Sequence, residues 1–81
     1  MNCRILLFAQ LAEAVGAREL ELQVDAESTV TEALDQLASD HSSIAMMRAN
    51  IAVAINDSYA TPTTPLSEGC TLALIPPVSG G

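Results

Sequence analysis

The sequence predicts an α+β fold, one mixed sheet of four to five strands packed on a single main helix. Three observations lead there. Short apolar runs of strand length recur along the chain, "CRILLF", "RELELQV", "IAVAI" and "CTLALI". One longer stretch, "ESTVTEALDQLASD", carries an apolar stripe at helical spacing behind a capping signal. Glycines, prolines and an Asn-Asp pair stand at the joints between these segments. Eighty-one residues hold one core and no second domain. Apolar residues make up 49% of the chain, yet there is one Phe, one Tyr and no Trp, so that core must be aliphatic.

"CRILLF" (residues 3–8) is apolar enough for a strand buried largely on both faces. In the following "AQLAEAVG", Leu11, Ala12 and Val15 share one helical face, and Gly16 stands where a helix stops. "RELELQV" alternates Leu20, Leu22 and Val24 with Glu19, Glu21 and Gln23, the pattern of a half-buried strand. The short connection predicts that it pairs antiparallel with the first.

Thr29 and Glu32 have the S/T-x-x-E spacing of a capping box. Behind it, Val30, Ala33, Leu34, Leu37 and Ala38 form the stripe of a core-facing helix. "SIAMMRAN" adds a further helical turn or two, with Met46 and Met47 read as core or gap-filling residues. "IAVAI" is a strand, and Asn56-Asp57 makes a tight turn into a brief strand at residues 58–60. The prolines of "TPTTPLSEG" mark a loop. "CTLALI" is the last strand, and Pro76-Pro77 end it because neither can donate to a ladder.

The first and last strands, the most apolar, are expected to be central neighbours. Parity then sorts their side chains. Arg4 belongs in solvent, so Leu6 and Phe8 share its outer face while Cys3, Ile5 and Leu7 meet the helix. Thr71 marks the outer face of the last strand, which places Ala73 and Ile75 there and Leu72 and Leu74 inward. Leu6, Phe8, Ala73 and Ile75 are thus expected to form an apolar patch on the outside of the sheet, the mark of a protein partner.

Composition excludes several function classes. Three arginines and no lysine face ten carboxylates, a formal charge of −7, which repels phosphate backbones and anionic lipid. No nucleic-acid or membrane partner is expected. Cys3 and Cys70 show neither C-x-x-C nor metal-ligand spacing and read as small core residues, so no metal site is expected. His41 reads as a solvated or capping residue. Glu13, Glu32 and Asp57 form no spaced catalytic pair. "MNCRILLFAQ" lacks the long apolar core of a signal peptide, and no run approaches a membrane span, so a reducing, cytoplasmic setting is expected.

The chain finishes "IPPVSGG". A terminal carboxyl ionises near pH 3.5, so Gly81 offers a carboxylate nucleophile. Gly80 and Gly81 carry no Cβ and can thread a narrow channel. The six residues from Pro76 reach roughly 19 Å when extended, enough to enter a neighbouring protein. Pro76 and Pro77 are already conformationally restricted, which lowers the entropy cost of ordering them. The expected division is residues 1–75 as the folded domain and 76–81 as a flexible tail.

"FAQLAEAVG" after the first strand, "AIN" before the hairpin, "PLSEG", and above all "LALIPPVSGG" resemble MoaD, the small sulfur-carrying subunit of molybdopterin synthase, along the whole chain. The resemblance implies the ubiquitin-like β-grasp fold and a carrier rather than a self-sufficient catalyst. In that family an E1-like, MoeB-like enzyme uses ATP and Mg to adenylate the last glycine, and a sulfur donor protein converts it to a thiocarboxylate. The tail enters the large, MoaE-like subunit and gives sulfur to a pterin precursor for the molybdenum cofactor. By this resemblance Gly81 and Gly80 are the reacting end. The partner-binding residues would be Leu6, Phe8, Ala73, Ile75, Pro76, Pro77 and Val78. No cofactor is bound by the carrier itself, and the assembly is a heterotetramer with the large subunit. Two departures stand out: Ala12 where the family often has Arg, and Cys70-Thr71 in place of an acidic pair after Gly69. A sulfur carrier for thiamin, tRNA thiolation or cysteine synthesis, a ubiquitin-like protein modifier, and a plain binding module remain alternatives.

Overall fold

In the computed structural model, which describes residues 1–77, strand β1 (Asn2–Leu7) buries Cys3, Ile5 and Leu7 and turns Arg4 and Leu6 the other way. The strand is therefore buried on one face, not on both as its composition implied, because its outer neighbours on the sheet have no second layer. Phe8 stays extended (φ −124°, ψ 154°) and becomes the N-cap of α1 (Ala9–Val15), whose Leu11, Ala12 and Val15 face the core as the helical spacing implied. Gly16 closes it in the left-handed region (φ 86°), with its N–H donating to the Ala12 carbonyl at 2.9 Å. An L-residue there would be strained.

Strand β2 (Glu19–Gln23) lies antiparallel to β1, with Ile5 opposite Leu20 and Cys3 opposite Leu22. Helix α2 (Val30–Asp40) begins with the expected box: the Thr29 hydroxyl accepts from the Glu32 N–H, and the Glu32 carboxylate accepts from the Thr29 N–H at 3.0 Å. The free N–H groups of Val30 and Thr31 donate to the carbonyls of Thr64 and Pro62. The loop after β4 thus satisfies the helix donors that the box leaves open. Val30, Ala33 and Leu37 are buried, with Leu34 and Ala38 packed beside them.

His41 breaks the helix, and α3 (Ser42–Met47) starts in a new direction before a 3-10 turn at Arg48–Asn50. The His41 backbone caps both helices, donating to the Leu37 carbonyl and accepting from the Ile44 N–H, while its side chain makes no cap bond. The new direction points Ile44 and Met47 inward and leaves Met46 85% exposed. The expectation that Met46 joins the core is thereby corrected.

Strands β3 (Ala52–Ile55) and β4 (Ser58–Tyr59) are joined by Asn56-Asp57, both at positive φ (47° and 73°), the signature of a two-residue hairpin turn. Strand β5 (Thr71–Ile75) completes a sheet of order β2-β1-β5-β3-β4, in which β1 and β5 are central and parallel and the other pairs are antiparallel. The helices cover one face only. The core between the layers is aliphatic, with Ile5, Leu11, Leu37, Ile44, Leu72 and Leu74 almost fully enclosed. No helix among the described residues is long and apolar enough to cross a membrane.

Candidate functional site: the outer sheet face and the root of the tail

The uncovered face of the sheet is set by register. Leu6 pairs with Ala73, Arg4 with Thr71, Ala73 with Ala54, and Ile75 with Ala52. Because side chains at paired positions point the same way, Leu6, Ala73 and Ile75 share the outer face, each half-buried. Phe8 lies one residue past the last registered pair, Leu7–Leu74, where it caps α1, and it is 46% exposed. Leu6 and Phe8 also line a groove of about 660 Å³ that continues toward Ala12 and Gly16. The register thus brings Leu6, Ala73 and Ile75 onto one face, and Phe8 adjoins Leu6 in the groove.

The two prolines do not share that face equally. Strand pairing ends at Ile75; Pro77 is exposed, but Pro76 is buried. The alternation through Leu74 and Ile75 sends Pro76 inward, so it packs toward the core rather than extending the patch. Val78, Gly80 and Gly81 lie outside the described residues. Because β1 and β5 run parallel, Phe8 and Pro77 stand at the same end of the sheet.

The rim of this face is acidic. Glu19 and Glu21 face outward from β2, and Arg4 reaches Glu19 at 3.4 Å in an exposed ion pair of small energetic value. Asp57 projects from the hairpin turn and enters no ion pair among the described residues. Asn56 is held differently, its side-chain oxygen accepting from the Thr71 N–H at 3.1 Å and its own N–H donating to the Thr71 carbonyl. The hairpin is thus bolted to the start of β5.

Sequence reasoning missed the contribution of β3 and β4. Ala52, Ala54 and Tyr59, which pairs with Ala54 and is 81% exposed, extend the outer face beyond the central strands. The alternation in "IAVAI", combined with the Asn-Asp turn, carried that signal. Cys3 and Cys70 are both buried free thiols at neighbouring positions of β1 and the start of β5, with sulfurs 3.1 Å apart. Burial first, and then the hydrogen bond with Cys70, pushes the Cys3 thiol up to about 12. A thiol held protonated in this way is a poor nucleophile, in keeping with a packing role. Among the described residues no three His, Cys, Asp or Glu side chains converge as metal ligands.

Comparison with known proteins places this geometry. A molybdopterin synthase sulfur carrier subunit from Arabidopsis thaliana is 35% identical over 81 residues, covering 100% of this chain and 84% of the relative. Small archaeal modifier protein 1 from Haloferax volcanii is 37% identical over 83 residues, covering 93% of this chain and 95% of the relative. The crystal structure of SAMP1 from the same organism matches with a TM-score of 0.87 at 36% identity, covering 100% of both chains. A complex of subunits 1 and 2 of molybdopterin-converting factor from Helicobacter pylori contains the same fold, with a TM-score of 0.69 at 21% identity over 100% of both chains. The ThiS family matches residues 5–81. With that match and full-length relatives above 30% identity, the chain belongs to the ThiS family of ubiquitin-like β-grasp proteins.

Proposed function

We propose that this chain is the sulfur-carrier subunit of a molybdopterin synthase, with the Gly81 carboxyl as the point of sulfur attachment. The observation that carries the reading is the likeness to the Arabidopsis sulfur carrier subunit, which extends over 100% of this chain and so includes its last residues. In this reading a carboxylate oxygen of Gly81 attacks the α-phosphorus of ATP on an activating enzyme, and pyrophosphate leaves. A persulfide of a donor protein then attacks the acyl carbon and AMP departs, leaving an acyl disulfide; a thiol attacks the donor's sulfur, the S–S bond breaks with formation of a new disulfide, and the Gly81 thiocarboxylate is released. Magnesium and ATP belong to the activating enzyme. The carrier supplies no catalytic side chain; it presents the acyl group to a large subunit, where sulfur passes to a pterin precursor.

The geometry supports presentation. An outward apolar face ending one residue before an inward-packed Pro76 gives a partner a surface to hold while the tail enters its site. Incubation with the activating enzyme, ATP, Mg²⁺ and a sulfur source should add the mass of one oxygen-to-sulfur exchange at the C-terminus. A residue added beyond Gly81 moves the carboxylate away from the position presented to ATP, and a misplaced nucleophile loses most of its rate. Thiocarboxylation of the untrimmed, extended chain at the parental rate would remove the main support for this reading.

A second reading is favoured by the Haloferax relative, whose name is that of a modifier protein. There the activated Gly81 acyl group would pass to a lysine amine of a target instead of to sulfur. Covalent conjugates on denaturing gels that vanish when Gly81 is deleted, without thiocarboxylate in the free protein, would select it.

A further inference from the structure

Two thiols from opposite ends of the chain meet beneath one exposed turn. The parallel register that sets Arg4 beside Thr71 runs one step further back to Cys3 and Cys70, where the Arg4 N–H donates to the Cys70 carbonyl at 2.9 Å. Neighbouring strands lie about 4.8 Å apart, inside the Cα separation of about 4.4–6.8 Å that a disulfide spans. The sulfurs are 3.1 Å apart. A bond of about 2.05 Å therefore asks them to approach by about 1 Å. The chemistry at Gly81 places no demand on either thiol.

In the closed fold the pair is protected. Each cysteine is 2% exposed, and burial keeps the Cys3 thiol protonated. The cover is slight, however. Ser67, Glu68 and Gly69 are all exposed, and the Cys3 sulfur lies 4.0 Å from the Ser67 carbonyl. The turn is tied to β1 through Asn2, itself exposed: the Asn2 N–H donates to the Glu68 carboxylate at 2.7 Å, and the Gly69 N–H donates to the Asn2 carbonyl at 2.8 Å. Hydrogen bonds between exposed groups open far more readily than a strand core. Phe8 and Pro77 stand at the other end of the same two strands, so a bond between the thiols leaves the root of the tail untouched.

We propose that Cys3 and Cys70 are a reversible oxidation site, converted to a disulfide by a small peroxide when the Ser67–Gly69 turn lifts from Asn2. One thiol gives its proton to water as the turn opens, and its sulfur attacks a peroxide oxygen. The O–O bond breaks, leaving a sulfenic acid and hydroxide. The second thiol, giving up its proton in turn, attacks the sulfenic sulfur; the S–O bond breaks and a second hydroxide leaves. The two protons and two hydroxides become two waters, the cysteines are oxidised by two electrons, and hydrogen peroxide is reduced by two. The bond closes a loop of 67 residues between the first and last strands, which restricts the unfolded chain and stabilises the native one. None of this depends on which partner receives the tail.

The test treats the reduced full chain with hydrogen peroxide, then unfolds it in an alkylating agent for mass analysis. The product should be a monomer lighter by two hydrogen atoms, with no alkylated thiol, a Cys3–Cys70 cross-linked peptide, and full return of both thiols under dithiothreitol. Its melting temperature should exceed that of the reduced chain by at least about 5 °C. Cys3→Ala should never show the loss of two hydrogens within one chain. Glu68→Ala removes the acceptor of the Asn2 N–H and should speed disulfide formation at least about threefold at an unchanged melting temperature. Glu68→Gln keeps an acceptor oxygen and should react at the parental rate. Two alkylatable thiols after the same peroxide has consumed free cysteine, dimers in place of monomer, or sulfinic acid without the cross-link would overturn the site. A lower melting temperature for the oxidised chain would overturn the fit of the bond to the native register. Equal rates in the parent and Glu68→Ala, or an acceleration that merely follows a lower melting temperature, would overturn the gate.

Discussion

The sulfurs of Cys3 and Cys70 lie 3.1 Å apart, one thiol hydrogen-bonded to the other, although 67 residues separate them in the chain. The contact joins the start of β1 to the start of β5 and sits where the first and last segments of the fold meet.

Alkaline stability should report on this pair. The Cys3 thiol is raised from 9.0 to about 12 in the folded state, first by burial. The unfolded chain therefore loses its thiol proton at lower pH than the folded one. The stabilisation is complete below pH 9 and is lost as pH rises toward 12, with a slope of up to about 1.4 kcal/mol per pH unit. The chain has no lysine to obscure this window. Urea unfolding from pH 8 to pH 11 should show the decline, and Cys3→Ala should flatten it. A parent and variant with the same slope would remove the thiol from the explanation.

Replacing both cysteines by serine should lower stability by about 1–3 kcal/mol, since a hydroxyl is less well accommodated than a thiol in an apolar site. Sulfur transfer from the Gly81 thiocarboxylate should persist once the variant is held below its melting temperature. A folded double variant that accepts sulfur but cannot pass it on would assign the transfer to a thiol.

Thr29→Ala should destabilise the domain by about 1 kcal/mol, the usual loss of a helix N-cap oxygen. Glu32→Ala acts on the reciprocal bond, so the double variant should cost less than the sum of the singles. Strict additivity in denaturant unfolding would mean that the two bonds act separately.

Phe8→Asp and Ile75→Asp should leave the fold intact but weaken binding of a large subunit by tenfold or more, because a carboxylate at the centre of a contact is desolvated without a partner. Phe8 is the more decisive position, since 46% exposure in the free domain leaves little packing to lose. Binding and melting are read on the same samples. Unaltered binding would place the partner elsewhere.

What lay within a few residues along the chain was legible before any coordinates. The capping box at Thr29 and Glu32, the positive-φ turn at Asn56-Asp57 and the stop at Gly16 are local backbone chemistry. The outward placement of Leu6, Ala73 and Ile75 followed from a period of two and one polar residue on each strand. The central, neighbouring placement of β1 and β5 followed from their apolar composition, whereas their parallel direction came from the structure.

Tertiary structure decided the rest, because it depends on register and rotation between segments distant in sequence. The change of direction at His41 exposed Met46, which periodicity alone had put inside. Alternation turned Pro76 inward, although its neighbour Pro77 is exposed. The carbonyls of Pro62 and Thr64 found the open donors of α2 because the loop folds back over the helix. Only the register of β3 against β5 set Ala54 opposite Ala73, and only packing brought two thiols from opposite ends of the chain into contact. A strand's alternation tells which way a side chain faces, but which residue it meets there is chosen by how the neighbouring strand slides before it pairs.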